Sequence, residues 1–272
     1  MFHWLRDYRR AEVRKRRFPP EWDAFLYANV VHFRVLDEGE REELRAMVQV
    51  FLDEKLWEGC GGLELTDEIR VTIAAQACLL QLGLPHDYYR NVESILVYPT
   101  TIMIPERQTG VFEHVVAPVE PSRPIVGQAF THGSVILVWD AVLRGARHPE
   151  QGHNVVYHEF AHKLDMLDGA ADGTPPLADR EQLADWISVC THEFVHLQRT
   201  ASQGHKSFVD AYGARNAAEF FAVATEEFFD RPVTLHENAH ELYHILSNYY
   251  RQDPAERVKR SLHSKKSVKC LN

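Results

Sequence analysis

The chain has 272 residues, of which 45% are hydrophobic and 25% are charged, close to the proportions of an ordinary globular protein. These proportions exclude a mainly disordered or fibrous chain. No apolar stretch approaches the roughly 20 residues that a membrane-spanning helix needs, so we expect no membrane segment. The sixteen histidines are more than core packing requires.

The formal net charge of −9 is unevenly distributed along the chain. Basic side chains dominate residues 1–17 and 257–269, which leaves the middle of the chain acidic. We interpret 1–20 as a basic N-terminal tail, 21–255 as a single domain and 256–272 as a basic C-terminal tail. No helix-turn-helix or aromatic-basic pattern accompanies the basic ends, so we expect no direct nucleic-acid binding.

The cysteines and the N-terminus indicate a cytoplasmic protein. The four cysteines are scattered and include no CxxC pair, which is typical of reduced thiols rather than of a disulfide framework or a cysteine zinc site. The first residues lead directly into a basic run without an apolar core, so we expect no secretory signal.

The N-terminal part, to about residue 90, is predicted to be mainly helical. Asp37 and Glu40 form a capping-box pattern in front of a helix with apolar residues at helical spacing. Thr66 can cap a second helix, which runs from Ile69 to Leu82 and ends at Gly83.

Three apolar segments bounded by Pro and Gly turns are then predicted as strands: Ser94–Tyr98, Val111–Val116 and Ser134–Trp139. After Asn154 the pattern is helical again, with helices expected at about 154–167, 179–200, 216–229 and 235–250. Helices followed by a small sheet and further helices are typical of an α+β fold.

The histidine excess contains one motif three times. The pattern HExxH occurs at His158–His162, at His192–His196 and at His236–His240. On a helix, residues four positions apart lie one above the other, so both imidazoles can bind one zinc ion. The glutamate beside the first histidine can take a proton from a water that the metal activates.

The context of the three copies favours the first, with Glu159 as the glutamate. It follows an apolar strand by a short connection, and an extended peptide can pair with the edge of such a strand. The second copy follows a loop rich in Asp, Gly and Pro, and the third has few residues after it, so both are interpreted as solvated helix faces. The predicted substrate-binding residues are those of the strand: Ser134, Val135, Ile136, Leu137, Val138 and Trp139.

A catalytic zinc needs a third protein ligand, and spacing leaves this ligand open. Asp168 lies ten residues after His158, as in compact zinc sites, but Asp165 occupies the position where those sites have glycine. Glu219, at the start of an apolar helix, can serve the first copy or the second. Asn216 and Glu219 also form a capping-box pattern, so Glu219 can equally be only a cap of its own helix.

Several segments together resemble the Mlc titration factor A family of bacterial zinc metallopeptidases. They are Tyr157–Asp165, Leu167–Gly169, Ala218–Val223, Ile73–Leu80 and Val97–Pro99. The resemblance spans about residues 20 to 255. It implies a zincin-like fold with a mainly helical N-terminal part, a small mixed sheet with a substrate-binding edge strand, and an active-site helix.

The same resemblance implies a gluzincin-like site with one Zn²⁺ per chain, held by His158, His162 and Glu219, and with Glu159 as general base. The family is related to the catalytic domain of anthrax lethal factor. That relation implies a role for Tyr212, seven residues before the ligand glutamate, in donating a hydrogen bond to the oxyanion. The family also implies an aminopeptidase-like activity on peptide substrates. It further implies binding to the glucose repressor Mlc, and so regulation of sugar-uptake (phosphotransferase system) genes.

Two questions stay open from the sequence. A non-catalytic protein that titrates a transcriptional regulator, with a structural or vestigial zinc site, is the alternative function. Glu226 lies two helical turns after Glu219 on the same face, where it can orient a histidine ligand or be a surface carboxylate. Asp165 poses the same choice.

Overall fold

Helices dominate the fold and surround one small sheet. The computed structural model describes residues 3–85, 87–100, 102–103, 124–125, 127–129 and 133–269. The α-helices are α1 (His3–Arg14), α2 (Pro20–Asn29), α3 (Glu38–Glu54), α4 (Asp67–Leu80), α5 (Trp139–Arg147), α6 (Val155–Asp165), α7 (Arg180–Ser202), α8 (Ala217–Asp230), α9 (Pro232–Asn238), α10 (His240–Tyr250) and α11 (Pro254–Lys269). The strands are β1 (Leu56–Gly59), β2 (Val92–Tyr98), β3 (Ile102–Met103), β4 (Pro124–Ile125), β5 (Gly127–Ala129) and β6 (Gly133–Val138). Short 3-10 helices occupy Val31–Val35, Pro149–Gln151, Met166–Asp168 and Ala211–Ala214.

Local capping signals begin the N-terminal helices where the sequence predicts them. The Asp37 carboxylate accepts a hydrogen bond from Glu40 N at 2.9 Å, and the Glu40 carboxylate accepts one from Asp37 N at 3.0 Å, so α3 begins with a capping box. Thr66 Oγ1 accepts from Ile69 N at the start of α4. Side-chain caps satisfy backbone N–H groups that have no partner within the helix. α4 then packs against α3 on one side and α6 on the other.

The main sheet has the strand order β1-β2-β6-β5. β1, β2 and β6 are parallel, and β5 is antiparallel to β6, with Gly127 opposite Leu137 and Ala129 opposite Val135. This small mixed sheet, together with the surrounding helices, confirms the α+β zincin-like fold that the sequence predicts.

The prediction of a substrate-binding edge at Ser134–Trp139 is wrong. β6 pairs with β2 on one side and, through Val135–Leu137, with β5 on the other, so it is an interior strand of the sheet. Trp139 is the first residue of α5 and lies outside the strand. The edge next to β6, among the described residues, is β5. A nearly continuous apolar run such as that of β6 is typical of an interior strand.

Two further strands form a separate antiparallel pair, in which Ile102 lies opposite Ile125 and Met103 opposite Pro124. The predicted strand Val111–Val116 lies outside the described residues.

The core joins α3 and the segment before β2 to the helix that carries the first HExxH motif. Phe160 of α6 is fully buried, with its ring 4.7 Å from that of Tyr89 and 5.8 Å from that of Phe51. Burying an aromatic side chain of this kind contributes roughly 1.5–3 kcal/mol, so these contacts fix the position of α6. The two histidines of the motif lie on the opposite face of α6.

Both basic ends are helical where the structure describes them, rather than loose tails. In α1, Val13 is buried, Arg10 pairs with Glu54 at 2.6 Å and Arg14 pairs with Glu43 at 2.6 Å. In α11, Arg257 is buried and pairs with Glu40 at 2.6 Å. These acidic partners all lie on α3. Ion pairs therefore connect both basic ends of the chain to its acidic middle.

The predicted helix 235–250 is two helices in the structure. Ala239 adopts φ −143° and ψ 68°, which ends α9 and begins α10. α9 packs against α8 and α11, whereas α10 packs against α7 as well as α9, so the two helices have different neighbours. No helix among the described residues is long and apolar enough to cross a membrane.

Candidate active site

The first HExxH motif lies on α6, whose start is fixed by Asn154. The Asn154 side chain accepts hydrogen bonds from the backbone N–H groups of Val156 and Tyr157 at 3.1 and 3.2 Å. Its amide also donates to Gln76 of α4 at 2.9 Å. The cap is therefore itself held in the core, which sets both the first residue and the rotation of α6.

His158 and His162 place their rings side by side on the free face of α6. Their Nε2 atoms lie 3.3 Å apart, and the ring planes are nearly perpendicular at 84°. Both side chains are mostly buried, with 16% and 12% of their surface exposed. The arrangement is the one expected for two histidines four residues apart on a helix.

Glu219, on the first turn of α8, completes the cluster. Its Oε2 lies 3.0 Å from Nε2 of His158 and 3.4 Å from Nε2 of His162. Asn216 caps α8 by accepting from the backbone N–H of Glu219 at 2.9 Å. The capping interaction therefore uses the backbone of Glu219, while its carboxylate turns to the histidines.

Glu226 lies two turns further along α8 and contacts the ring nitrogen of His158 that does not face Glu219. Its Oε1 is 2.8 Å from Nδ1 of His158, and its Oε2 accepts from the backbone N–H of Asn154 at 2.6 Å. With a metal bound, a carboxylate on Nδ1 would keep that nitrogen protonated and leave the lone pair of Nε2 for the metal. Glu226 is buried and is not a surface carboxylate.

Glu159 faces the same cleft beside the edge strand β5. The cleft has a volume of about 770 Å³, and its walls include Gly127, Gln128 and Ala129 of β5. A Cβ added at Gly127 would lie 2.6 Å from Oε1 of Glu159, so only glycine lets the strand pass this close to the carboxylate. Burial raises the pKa of Glu159, although the neighbouring histidines oppose the rise.

Tyr212 reaches the cluster from the 3-10 helix Ala211–Ala214. Asp210 caps this helix by accepting from Tyr212 N at 2.7 Å. The phenol oxygen lies 3.5 Å from Oε1 of Glu219, and the ring centre is 5.9 Å from that of His158. The guanidinium of Arg215 stacks on the ring, with its central carbon 4.0 Å from the ring centre. The phenol is thus directed at the cleft while its ring stays 40% exposed.

The remaining acidic candidates lie elsewhere. Asp168 accepts from the backbone N–H of Ala170 in an exposed turn and does not join the cluster. Asp165 is buried and accepts from Gly173 N at 2.9 Å, so it holds the following loop rather than a histidine. Burial raises the pKa of Asp165 to about 6.

The other two HExxH copies occupy different surroundings. His192 and His196 of the second copy are exposed on α7, and within the described ranges no third metal-binding side chain joins them. The third copy spans the break between α9 and α10, where His236 and His240 are joined by His244.

The three donor atoms of the first cluster fit a zinc ion. Their mutual separations are 3.0, 3.3 and 3.4 Å. A tetrahedral ion with bonds of about 2.0–2.1 Å keeps its donors about 3.3–3.4 Å apart, and two imidazoles with one carboxylate form a known zinc peptidase ligand set. Burial alone would raise the pKa of Glu219, but hydrogen bonds from His158 and His162 hold it well below its usual range.

Sequence reasoning missed the β5 segment Gly127–Ala129 and the stacking residue Arg215. Gly, Gln and Ala are not typical strand residues, so the segment offers little signal of its own. The one available hint is Gly127 itself, since a glycine in a strand can mark a close approach of the backbone to another group.

Comparisons with known proteins show relatives that match most of the chain. The chain is 38% identical over 253 residues to an uncharacterized protein of Synechocystis sp., covering 93% of this chain and 90% of the relative. It is 29% identical over 244 residues to the proteins named Mlc titration factor A of Yersinia pestis and Yersinia pseudotuberculosis, covering 88% of this chain and 87% of each relative.

Residues 4–251 match the family described as glucose-regulated metallo-peptidase M90. The match confirms the resemblance seen in the sequence and extends it to residue 4, so that it includes α1. A metallopeptidase family implies a metal. The chain therefore belongs to the glucose-regulated metallo-peptidase M90 family.

Proposed function

We propose that the chain is a zinc-dependent peptidase with His158, His162 and Glu219 as ligands and Glu159 as general base. One observation carries the proposal: three donor atoms converge within 3.0–3.4 Å of one another in a cleft that also contains a buried carboxylate. A fourth position open to the cleft suits a catalytic site, whereas structural zinc sites usually have four protein ligands.

The bound metal would supply Lewis acidity, which lowers the pKa of a water and polarises the substrate carbonyl. The protein supplies the proton transfers. Glu159 takes the proton of the attacking water and passes it to the leaving amine. Its buried position supports this role, because a raised pKa makes the carboxylate a stronger base at neutral pH. Glu226 keeps the ring of His158 in the orientation that the ligand role requires.

Tyr212 is proposed to stabilise the oxyanion. Its phenol is directed at the cleft beside Glu219 and can donate a hydrogen bond to the developing negative charge on the substrate oxygen. The stacking of Arg215 on its ring supports this role by limiting the directions that the phenol can take.

The edge strand β5 is proposed to bind the peptide in place of Ser134–Trp139. An extended substrate can pair its main chain with Gly127–Ala129, next to Glu159, in the manner of strand addition. The family resemblance favours an aminopeptidase-like activity on short peptides, and we propose that activity in the cytoplasm.

Glu159→Gln tests the mechanism, because glutamine keeps the volume of the side chain but cannot accept the proton. We expect cleavage of chromogenic aminoacyl substrates to fall by about 10²–10⁴-fold, the usual contribution of a general base, with unchanged zinc content and unfolding temperature. Glu193→Gln is the matched control, since Glu193 holds the same position in the second HExxH copy. Undiminished cleavage by Glu159→Gln would overturn the proposed mechanism.

A second candidate function is the binding of a transcriptional repressor. The relatives named Mlc titration factor A support it, and the repressor Mlc is the proposed partner. Binding of purified Mlc should be measured for the wild type and for Glu159→Gln. If neither protein cleaves any peptide and both bind Mlc equally, the chain is a non-catalytic regulator-binding protein. If neither binds Mlc, the peptidase role stands without this partner.

A further inference from the structure

The third HExxH copy is divided between two helices. His236 lies near the end of α9, and His240 is the first residue of α10. Ala239 between them has the non-helical angles φ −143° and ψ 68°, so the two histidines do not lie on one continuous helix. His244 follows one turn later on α10.

Three imidazoles nevertheless meet at this point. Nε2 of His240 and Nε2 of His244 lie 3.0 Å apart, and the ring centre of His236 is 4.6 Å from that of His240. One ring nitrogen from each histidine lies within 4.8 Å of those of the other two. The three histidines are each four residues apart, and they meet although Ala239 interrupts the helix between the first two.

The pair on α10 repeats the geometry of the first cluster. Its ring centres are 4.3 Å apart with the planes at 88°, compared with 4.9 Å and 84° for the pair on α6. The Nε2 separations are 3.0 and 3.3 Å. A hydrogen bond between two neutral imidazoles accounts for the pair alone, but it leaves the approach of His236 unexplained.

The surrounding structure fixes the bend. Ala239 is buried, its N–H donates to Leu235 O at 2.8 Å, and its carbonyl accepts from Tyr243 N at 2.9 Å. The Tyr243 ring lies 4.9 Å from the His236 ring, and its hydroxyl donates to Asp253 at the start of α11. The three histidines are therefore held by buried neighbours, although His240 and His244 themselves are exposed.

We propose that His236, His240 and His244 form a second metal site, which takes a divalent transition-metal ion such as Zn²⁺. Imidazole nitrogen is a good ligand for zinc, copper and nickel, and three protein ligands leave the fourth position to water. The three residues share no member with the cluster at His158, so the two sites can be emptied independently. The ion would join α9 to α10 across the break at Ala239.

Zinc titration of the metal-free full chain tests this site. With Zn²⁺ alone as the probe and a chromophoric chelator as competitor, the wild type should bind two equivalents. His244→Ala should weaken one of them by at least about 100-fold, because losing even a supporting partner of a ligand costs about 10–100-fold. The other equivalent should be unaffected, and Glu219→Gln should produce the opposite pattern.

His196→Ala is the matched control. His192 and His196 are also exposed histidines four residues apart on a helix, but within the described ranges no third metal-binding side chain joins them. The control variant should keep both equivalents. A single equivalent in the wild type that Glu219→Gln removes, or a second equivalent that survives His240→Ala and His244→Ala together, would overturn the proposal. So would equal effects of His196→Ala and His244→Ala. Circular dichroism of each variant checks that it is folded.

Discussion

Replacing Glu226 with glutamine tests whether the carboxylate behind His158 sets the affinity for metal. Its two oxygens accept hydrogen bonds from Nδ1 of His158 at 2.8 Å and from the backbone N–H of Asn154 at 2.6 Å. Both partners are donors, and a glutamine offers only one acceptor oxygen beside an NH₂ group. Glu226→Gln must therefore either release the His158 ring or leave the buried N–H of Asn154 without a partner.

The size of the expected loss depends on which of the two hydrogen bonds of Glu226 is broken. A hydrogen bond to a charged group contributes about 1.5–3 kcal/mol, and a tenfold change in an equilibrium constant is about 1.4 kcal/mol. If the His158 bond is lost, zinc affinity should fall about 10–100-fold, the range found for partners of metal-ligating histidines. If the Asn154 bond is lost, the start of α6 is weakened and the free energy of unfolding falls.

The pH dependence gives a second signature. In the metal-free protein, burial alone would lower the pKa of His158, but hydrogen bonds to Glu219 and Glu226 raise it well above its usual value. The ring is therefore positively charged at neutral pH, with both nitrogens protonated. A metal must displace one of these protons, so zinc affinity rises with pH up to that raised pKa. The protonated ring also stabilises the metal-free fold. This stability is fully present below the unfolded pKa of about 6.5 and is lost as pH rises through the folded value. Glu226→Gln removes one of the two acceptors, so both dependences should shift to lower pH.

Competition with a chromophoric chelator across neutral pH measures the affinity, and calorimetry in buffers of different ionisation enthalpy counts the protons released. Glu227→Gln is the control. Glu227 is the next residue on α8 and is also buried, but it pairs with Arg231 and not with the histidines. The Glu227→Gln variant should have a lower free energy of unfolding and an unchanged affinity for zinc. Unchanged affinity in Glu226→Gln, or an equal loss in Glu227→Gln, would refute the reasoning.

Local features of the fold could be predicted because a few neighbouring residues determine them. The capping box of Asp37 and Glu40 and the cap at Thr66 depend on side chains three residues from the groups they bind. The stacking of His158 and His162 depends only on helical geometry. Each of these signals is complete within about one helical turn, so the sequence alone contains it.

The order of the strands could not be predicted in the same way. The apolar run at Gly133–Val138 correctly indicates a strand, but whether that strand is interior or at an edge depends on β2, about 40 residues earlier, and on β5. β5 has only three residues, Gly127–Ala129, and no β-branched side chain among them. Its pairing with β6 decides which backbone stays open beside Glu159.

The role of Glu219 shows why one pattern supported two interpretations. The sequence Asn216–Glu219 predicts a cap, and Asn216 does cap α8 through the backbone N–H of Glu219. A backbone N–H and a side-chain carboxylate on the same residue can have different partners. Whether the carboxylate returns to its own helix or reaches His158 depends on the packing of α8 against α6, and spacing along the chain does not determine that packing.

Two further substitutions separate the chemistry of the cleft from its shape. Tyr212→Phe removes the hydroxyl that is directed at the cleft; kcat should fall by about 10²–10³-fold with zinc content unchanged, and an unchanged kcat would exclude oxyanion stabilisation by this residue. Gly127→Ala places a methyl group 2.4 Å from a Val155 methyl and 2.6 Å from Oε1 of Glu159, so β5 or the carboxylate must move. Overpacking of this kind costs about 1–3 kcal/mol, and we expect a lower unfolding temperature and a lower kcat/KM at full zinc occupancy. Gly39→Ala is the control, since its added Cβ meets nothing closer than 3.5 Å. If Gly127→Ala retains wild-type kcat/KM, close contact between the edge strand and Glu159, the proposed general base, is not required for cleavage.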